Sequence, residues 1–339
     1  MESKLVSVSI LTWNEEKYIK NCLDSIFNQT YPHIEVLALD NGSKDNSLKA
    51  LKDYQSKLDK NKDFPMKIIE NGKDLGYTGG NNIAIKNAGG EYVIYLNTDL
   101  VLDKDFVKNI IETMEKDEKI GSVQGKIYQL NNNKKTNIID TIGFEVFKSG
   151  EIIDNGQGEK DSSRSSESKE IFAVNGVAPA FRRTALDDVK LGKDYLDEDF
   201  FCYTEDIDLG WRLYSRGWLA VFTPRVIAWH DRTSAKKSGK GFADFREIRK
   251  KQGLWLRRIS WRNQWFLFIK NLSLTNFIIF SPRFVLRQAK MFLYLLFFET
   301  KVLSCILDII KLLPRMLNKR KIIMKQRKVS NKDIRKWFK

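Results

Sequence analysis

Cysteine is scarce in this sequence: Cys22, Cys202 and Cys305 lie far apart, with no metal-type spacing. That excludes a disulfide framework and fits a reducing compartment. Histidine is scarcer, at two. His33 sits beside Pro32 in a turn and carries no role, which leaves His230 as the candidate imidazole. No apolar run reaches the roughly 18–20 clean residues that a spanning helix needs. The opening MESKLVSVSILTWNEE has neither a long apolar run nor a small-residue cleavage site, so no signal peptide is expected. No repeat period is visible. A Gly-x-Gly-x-x-Gly turn after the first strand is missing, as is a Gly-rich loop ending in Lys-Ser/Thr. Those absences argue against a dinucleotide dehydrogenase and a P-loop enzyme. A nucleotidyltransferase would open with a Gly-rich loop where this chain has Thr12-Trp13-Asn14-Glu15.

Acidic residues almost vanish after Lys311, whereas the first part of the chain mixes both signs. The 339 residues carry a net charge of +15, concentrated from Arg246 onward. This asymmetry points to an anionic partner: a membrane surface, a nucleic acid or a polyphosphate ligand. The basic residues sit among aromatic and aliphatic ones and form no nucleic-acid motif, so no nucleic acid is expected. The length allows one large domain plus a smaller one. The reading is residues 1–240 for an α/β domain and 241–339 for a basic, amphipathic helical region. The last twenty or so residues could equally be a disordered solubilising tail.

Strand-like and helical runs alternate at the start. Strands are expected at 5–12, 34–40, 66–71 and 91–97, with helices at 15–27, about 43–58 and about 81–87. Such alternation implies a mostly parallel sheet covered on both faces. Ligands on such sheets sit at the carboxyl ends of the strands. Beyond Ile120 come shorter β-like runs and a Gly- and Ser-rich stretch, 156–169, read as a mobile loop. A helix at 204–216 and strands at 219–222 and 226–229 follow.

Polar clusters fall at those strand ends. Thr12-Trp13-Asn14-Glu15-Glu16 closes the first strand, and Thr12 or Asn14 can cap the next helix. Asp40-Asn41-Gly42-Ser43 closes the second, where an acid can accept hydrogen bonds from a base or ribose. Leu75-Gly76-Tyr77-Thr78-Gly79-Gly80-Asn81-Asn82 offers close backbone approach and a helix N-terminus suited to phosphate. Asn97-Thr98-Asp99 closes the fourth strand, where a carboxylate can hold a hard divalent cation on a diphosphate. Further on, Thr204-Glu205-Asp206-Ile207-Asp208 crowds three acids into one helical turn. Helix spacing cannot turn all three to one face. Asp206 is expected to face the cleft, with Glu205 or Asp208 serving acceptor or structure. His230 follows a strand and precedes Asp231-Arg232-Thr233-Ser234.

Taken in order over residues 6–234, these segments resemble glycosyltransferase family 2, with its GT-A fold, and within it the bacterial rhamnosyltransferase-like branch. The resemblance implies an inverting transfer from a nucleoside-diphosphate sugar, rhamnose among the candidates, to a glycan hydroxyl. Thr12, Asn14, Glu15, Asp40, Gly76, Gly79, Asn81, Asn97 and Asp99 would bind the donor. Asn97-Thr98-Asp99 is similar to the family's D-x-D motif, with Asn in place of its first acid. Asp99 and His230 would hold Mg²⁺ or Mn²⁺. Gly176, within Val174-Asn175-Gly176-Val177-Ala178, would line the acceptor side with Glu205 and Asp208. Asp206 matches the family's catalytic base. Arg262-Asn263 and Lys270-Asn271 resemble a pattern in rhamnosyltransferase-like tails.

In the tail, Trp255, Trp261 and Trp265 alternate with arginines, and MFLYLLFF (291–298) follows. That pattern suits a helix lying in lipid headgroups, with Lys319-Arg320-Lys321 attracting anionic lipid. The corresponding expectation is a peripheral protein at the cytoplasmic face of the cell membrane acting on a glycan or lipid-linked glycan. A helical subdomain packed on the catalytic domain, or a homodimer, is the alternative for the tail. A non-catalytic glycan-binding or membrane scaffold protein with a degenerate site is the alternative for the whole.

Overall fold

The computed structural model describes residues 4–58, 64–162, 165–231 and 242–339. The first half builds the expected alternation: β1 (Val6–Thr12), α1 (Glu16–Phe27), β2 (Ile34–Asp40), α2 (Ser47–Gln55), β3 (Met66–Glu70), α3 (Gly76–Asn87) and β4 (Tyr92–Asn97). The apolar residues of β1, β2 and β4 are almost continuous and buried, as a sheet covered on both faces requires. In α1, Ile19, Cys22, Leu23 and Ile26 recur at helical spacing and are the side it buries. These strands pair in parallel in the order β3-β2-β1-β4. The chain reverses its direction of sheet growth between β1 and β4, which opens a crevice at their carboxyl ends.

The second half extends the sheet. After β5 (Leu100–Leu102) and α4 (Phe106–Met114) come β6 (Ile120–Asn131), β7 (Lys134–Thr141), the hairpin β8 (Phe144–Val146) and β9 (Ile152–Asp154), and β10 (Lys169–Ile171). The short β11 (Ala180–Arg182) inserts antiparallel between β4 and β6 and joins the two halves into one ten-stranded sheet. α5 (Arg183–Asp188), α6 (Glu205–Arg216) and β12 (Leu219–His230) complete it, with β12 parallel to β6.

Four local expectations change. The Gly-rich run is not a turn before a helix; it forms the first turns of α3. The strands at 219–222 and 226–229 are one strand with a register shift, and His230 is its last residue. The 156–169 stretch is pinned in its described part: the Asp161 carboxylate accepts hydrogen bonds from Lys126 Nζ, Tyr128 Oη and Ser165 Oγ. The chain's end is docked as well, with Phe338 packed on Trp211 and Phe280.

The tail comprises α7 (Phe242–Lys251), α8 (Leu254–Asn271), α9 (Leu274–Phe298), α10 (Cys305–Gln326) and α11 (Asn331–Arg335). Its inner face shares a core with the sheet domain: Phe266, Phe268, Phe280 and Phe284 pack with Phe172, Phe200, Ile207 and Trp211. Polar bonds tie the same surfaces. Lys270, wholly buried, places Nζ 2.5 Å from Asp197 and 2.8 Å from Asp208. Asn271 and Arg212 also bond Asp208. The outer face of α9 and α10 stays apolar and open, with Ile278, Leu286, Phe297, Leu307 and Ile310 each more than half exposed. Among the described residues no helix is long and apolar enough to cross a membrane.

Candidate functional site

The crevice at the ends of β1 and β4 widens into a cavity of about 1030 Å³, closed on its far side by tail helices. That is at the upper end of ligand cavities. Trp13, Glu15, Asn41, Gly76, Asn97 and Asp99 line one half, supplied by the strand ends and the start of α3. Phe144, Ile152 and Asp154 from the β8–β9 hairpin and Arg249, Trp255 and Arg287 from α7, α8 and α9 line the other. Gly176, Glu205 and Asp206 stand at the junction, and His230 lines the same cavity.

Asp206 is held rigidly at the start of α6. Its Oδ2 accepts from the Gly176 N–H at 2.9 Å, and its Oδ1 from the Ile207 N–H at 2.8 Å. Burial pushes its pKa up to about 6; the two backbone donors limit the rise, and Asp154 adds to it. Its neighbour Glu205 is raised well above the usual carboxylate range, by burial first and Asp206 second. Of this buried pair, Asp206 is therefore the one ionised near neutrality. The loop before them is strained: Phe201, Tyr203 and Thr204 have φ of 65°, 66° and 78°. Strain of this kind persists only where surroundings over-determine it. Asn263 of α8 supplies that restraint, its Nδ2 donating to the carbonyls of Phe200, Cys202 and Tyr203 at 2.9, 2.8 and 2.8 Å. Arg262 adds donors to the carbonyls of Asp199 and Phe200.

His230 lies between two carboxylates. Nδ1 is 2.8 Å from Asp140 Oδ2, and Nε2 is 3.2 Å from Asp99 Oδ1. Burial alone would lower its pKa, but Asp140 and Asp99 outweigh that and raise it to about 9. Asp99 Oδ1 is buried and lacks a hydrogen-bond donor in good geometry, its neighbour being that imidazole. Once a cation displaces the proton on His230 Nε2, Asp99 Oδ1 and an imidazole oriented by the buried Asp140 make the donor set a divalent cation uses. No group of three or more acidic, histidine or cysteine side chains is placed to enclose a metal among the described residues. A cation here would need its remaining ligands from water and diphosphate oxygens, as Mg²⁺ and Mn²⁺ accept. Glu15 completes the edge, accepting from Thr98 Oγ1. Burial and then Asp99 push its pKa up to about 8.

The structure brings Glu15, Gly76, Asn97, Asp99, Gly176, Glu205, Asp206 and His230 to one cavity. The other expected residues lie off its wall. Thr12 is fully buried beneath it. Asn14 joins two loops, accepting from Lys44 N while its own N–H donates to Ser43. Gly79 and Asn81 are interior residues of α3, Gly79 against Leu75 and Asn81 bonded to the Tyr77 carbonyl. Asp208 is not an acceptor ligand: it is enclosed by Lys270, Arg212 and Asn271. Asp40 shapes the loop, its Oδ2 accepting from Gly42 and Ser43 N–H at 3.2 Å, while Oδ1 stays buried without a donor. The next residue, Asn41, is the one on the wall, bridging Asn71 and Asp74. Gly76 has φ +69°, and a Cβ there would lie 2.6 Å from the Phe201 carbonyl oxygen, so this glycine lets α3 meet the strained loop. Residues 232–234 lie outside the described residues.

Sequence reasoning missed Asn41, Asp140, Asp154, Arg287 and Tyr77, whose Oη donates to the Gly176 carbonyl. Tyr77 stood within the quoted Gly-rich segment, so its signal was there. Asp140 and Arg287 had none, being placed by strand pairing and helix docking.

Residues 7–189 match the family model for glycosyl transferase family 2. A poly-beta-1,6-N-acetyl-D-glucosamine synthase of Staphylococcus epidermidis is 30% identical over 224 residues, 66% of this chain and 49% of that protein. The chain thus spans about half the length of that relative. A dolichyl N-acetyl-alpha-D-glucosaminyl phosphate 3-beta-D-2,3-diacetamido-2,3-dideoxy-beta-D-glucuronosyltransferase of Methanococcus voltae is 28% identical over 288 residues, covering 81% of this chain and 83% of that one. Among solved structures, GalNAc-T7 with UDP, GalNAc and Mn²⁺ superposes with a TM-score of 0.60 at 17% identity, over 79% of this chain and 48% of that one. That likeness supports the GT-A fold alone. With the family model covering more than half its length, this chain belongs to glycosyl transferase family 2.

Proposed function

We propose that the protein is an inverting glycosyltransferase that moves a sugar from a nucleoside diphosphate to a glycan hydroxyl. One observation carries this: Asp206 and the Asp99–His230 pair line the same cavity, although Asp99 lies more than 100 residues from either of the others in sequence. The donor would lie along the β1 and β4 ends, its diphosphate toward Asp99 and His230. The acceptor would enter between the β8–β9 hairpin and the tail, its hydroxyl toward Asp206. A sugar hydroxyl is a weak nucleophile at neutral pH, and Asp206 takes its proton as the new glycosidic bond forms, a role worth roughly 10²–10⁴-fold. The Gly176 and Ile207 N–H groups fix both oxygens of that base. The mainly protonated Glu205 does not compete for the role. Asp99 and His230 would hold Mg²⁺ or Mn²⁺, which supplies positive charge to the departing diphosphate. Holding donor and acceptor in line contributes much of the rest.

The finer reading is a rhamnosyltransferase-like member acting on a lipid-linked glycan at the cytoplasmic face of a membrane rich in anionic lipid. Its support is the open apolar face of α9 and α10, with exposed Arg283, Lys290, Lys311 and Lys321 beside it. The direct test of the activity is a screen of nucleotide sugars for protection against thermal unfolding, followed by transfer with the best donor. Asp206→Asn should keep the protection and lose transfer by at least 100-fold. Normal turnover by that variant would refute the assignment.

A further inference from the structure

Part of what holds the base has no regular structure of its own. Residues 172–179 connect β10 to β11 without joining a strand or helix, so their backbone groups must find partners elsewhere. The Asn175 N–H donates to Gln124 Oε1 at 2.7 Å, and its Nδ2 to Asp154 Oδ1 at 2.6 Å. The Val177 N–H donates to Asn175 Oδ1 at 2.9 Å, and the Val177 carbonyl accepts from the Asn97 N–H at 3.2 Å. Between them stands Gly176, whose N–H donates to Asp206 Oδ2 and whose carbonyl accepts from Tyr77 Oη. A Cβ added at Gly176 would lie 3.2 Å from Asp206 Oδ2 and 3.5 Å from Tyr77 Oη, so the base and the phenol flank one residue.

Tyr77 comes from the donor side of the cavity. It is the second residue of α3, directly after Gly76, and lines the wall. Its ring meets Tyr95 edge-on at 6.1 Å, and Tyr95 stacks on Phe181 at 5.4 Å, so packing fixes the ring without help from the hydroxyl. Burial first, then Tyr95, Glu205 and Asp206, raise its pKa well above the usual phenol value, so the hydroxyl stays a donor at any working pH. Glycine has the widest choice of φ and ψ, and hydrogen bonds on both sides of Gly176 remove that choice. We propose that Tyr77 is a positioning residue for the transfer step: its hydroxyl, acting through Gly176, holds Asp206 in line with the acceptor and ties the donor-side helix to the base. This rests on the glycosyltransferase reading above and adds to it a residue outside the acidic turn of α6.

The test compares wild type, Tyr77→Phe and Asp206→Asn, each as the full chain, with the donor identified by thermal protection. Tyr77→Phe keeps the ring packing and removes one hydroxyl. Its kcat should fall about 10-fold or more, because a displacement of about 1 Å costs roughly 100-fold and a loosened base loses part of that. Donor KM should stay within about twofold, and thermal protection by the donor should persist. The acid limb of kcat/KM should move upward from about 6, since the Gly176 N–H that holds the Asp206 pKa down is loosened. The other groups around that carboxylate, Glu205 on α6, Asp154 on β9 and Tyr95 on β4, are the same in the variant. Without ligand, Tyr77→Phe should melt only about 2 °C lower, the effect of one hydrogen bond in a chain of this size. An unchanged kcat, an unmoved acid limb, a raised donor KM in place of a lowered kcat, or a melting point low enough to unfold the variant in the assay would each overturn the proposal. Normal transfer by Asp206→Asn would sink the enzyme reading itself; an inactive Asp206→Asn beside a normal Tyr77→Phe would sink the Tyr77 assignment alone.

Discussion

Asn263→Ala separates the geometry of the site from its stability. Asn263 is wholly buried and clamps the strained loop that delivers Asp206. Its removal leaves the carbonyls of Cys202 and Tyr203 without that donor, whereas the Phe200 carbonyl keeps Arg262 at 3.2 Å. Losing two such part-buried hydrogen bonds costs about 1–3 kcal/mol. Against this, the unclamped loop can relax three left-handed non-glycine residues, each holding on the order of 1–3 kcal/mol of strain. The net destabilisation should therefore be about 2 kcal/mol or less, a Tm drop of about 3 °C for a chain of this size. Catalysis should suffer far more, because a shift of about 1 Å in a catalytic group costs roughly 100-fold. Donor binding should persist, since β1, β2 and β4 carry that half of the cavity. The assays are calorimetry, nucleotide protection and transfer rate on one preparation. Transfer within threefold of wild type would refute the claim that Asn263 sets the position of Asp206. So would a Tm loss large enough to explain the rate by unfolding alone.

The buried acids predict a pH signature. Transfer should rise as pH increases through about 6, where Asp206 becomes a carboxylate able to take a proton. Stability should run the other way. Glu205 has a folded pKa above its unfolded value of 4.5, so its contribution is full below that value and is lost as pH rises toward the folded pKa. Glu205→Gln should therefore melt higher than wild type, by a margin that widens from pH 5 to pH 8; a constant margin in calorimetry would show that Glu205 is ionised throughout. For the tail, vesicles containing anionic lipid should bind the protein, and the paired change Leu286→Glu with Phe297→Glu should weaken binding at least about 10-fold, since two exposed apolar side chains leave the lipid and gain negative charge. Absence of the wild type from all vesicles in flotation, or a dimer sealed through these residues, would refute membrane contact.

The tail illustrates how tertiary packing redistributes roles that a sequence suggests. Lys270 and Asn271 lie in a basic, aromatic stretch that reads as a lipid-facing helix. In the fold they turn inward onto Asp208 and, for Lys270, Asp197, making a buried charge cluster that Lys319 and Arg212 extend. Breaking one member of such a cluster strands its partners in a low-dielectric interior. The α8 helix therefore packs against the catalytic half through its polar residues as well as through Phe266 and Phe268.

The alternation of apolar strands and amphipathic helices was enough to place β1, β2, β3 and β4 within a residue of their observed ends, because period and composition are local properties. Local order also put Glu15, Asn97, Asp99 and Asp206 at element ends, where a parallel sheet gathers its ligands. The same patterns could not separate Asp208 from Asp206, since the lysine that buries the former comes from 62 residues downstream. Nor could they show Asp140, which reaches His230 because β7 pairs with β6 beside β12. Arg287 escaped for a like reason: a basic residue in an amphipathic helix is ordinarily solvated, and only docking of that helix on the β8–β9 hairpin turns it into the cavity. Sequence alone thus determined the elements and the family, which depend on neighbours along the chain. Tertiary structure decided which charges are buried, paired or left facing a ligand, because solvation and partners are set by residues that only folding brings together.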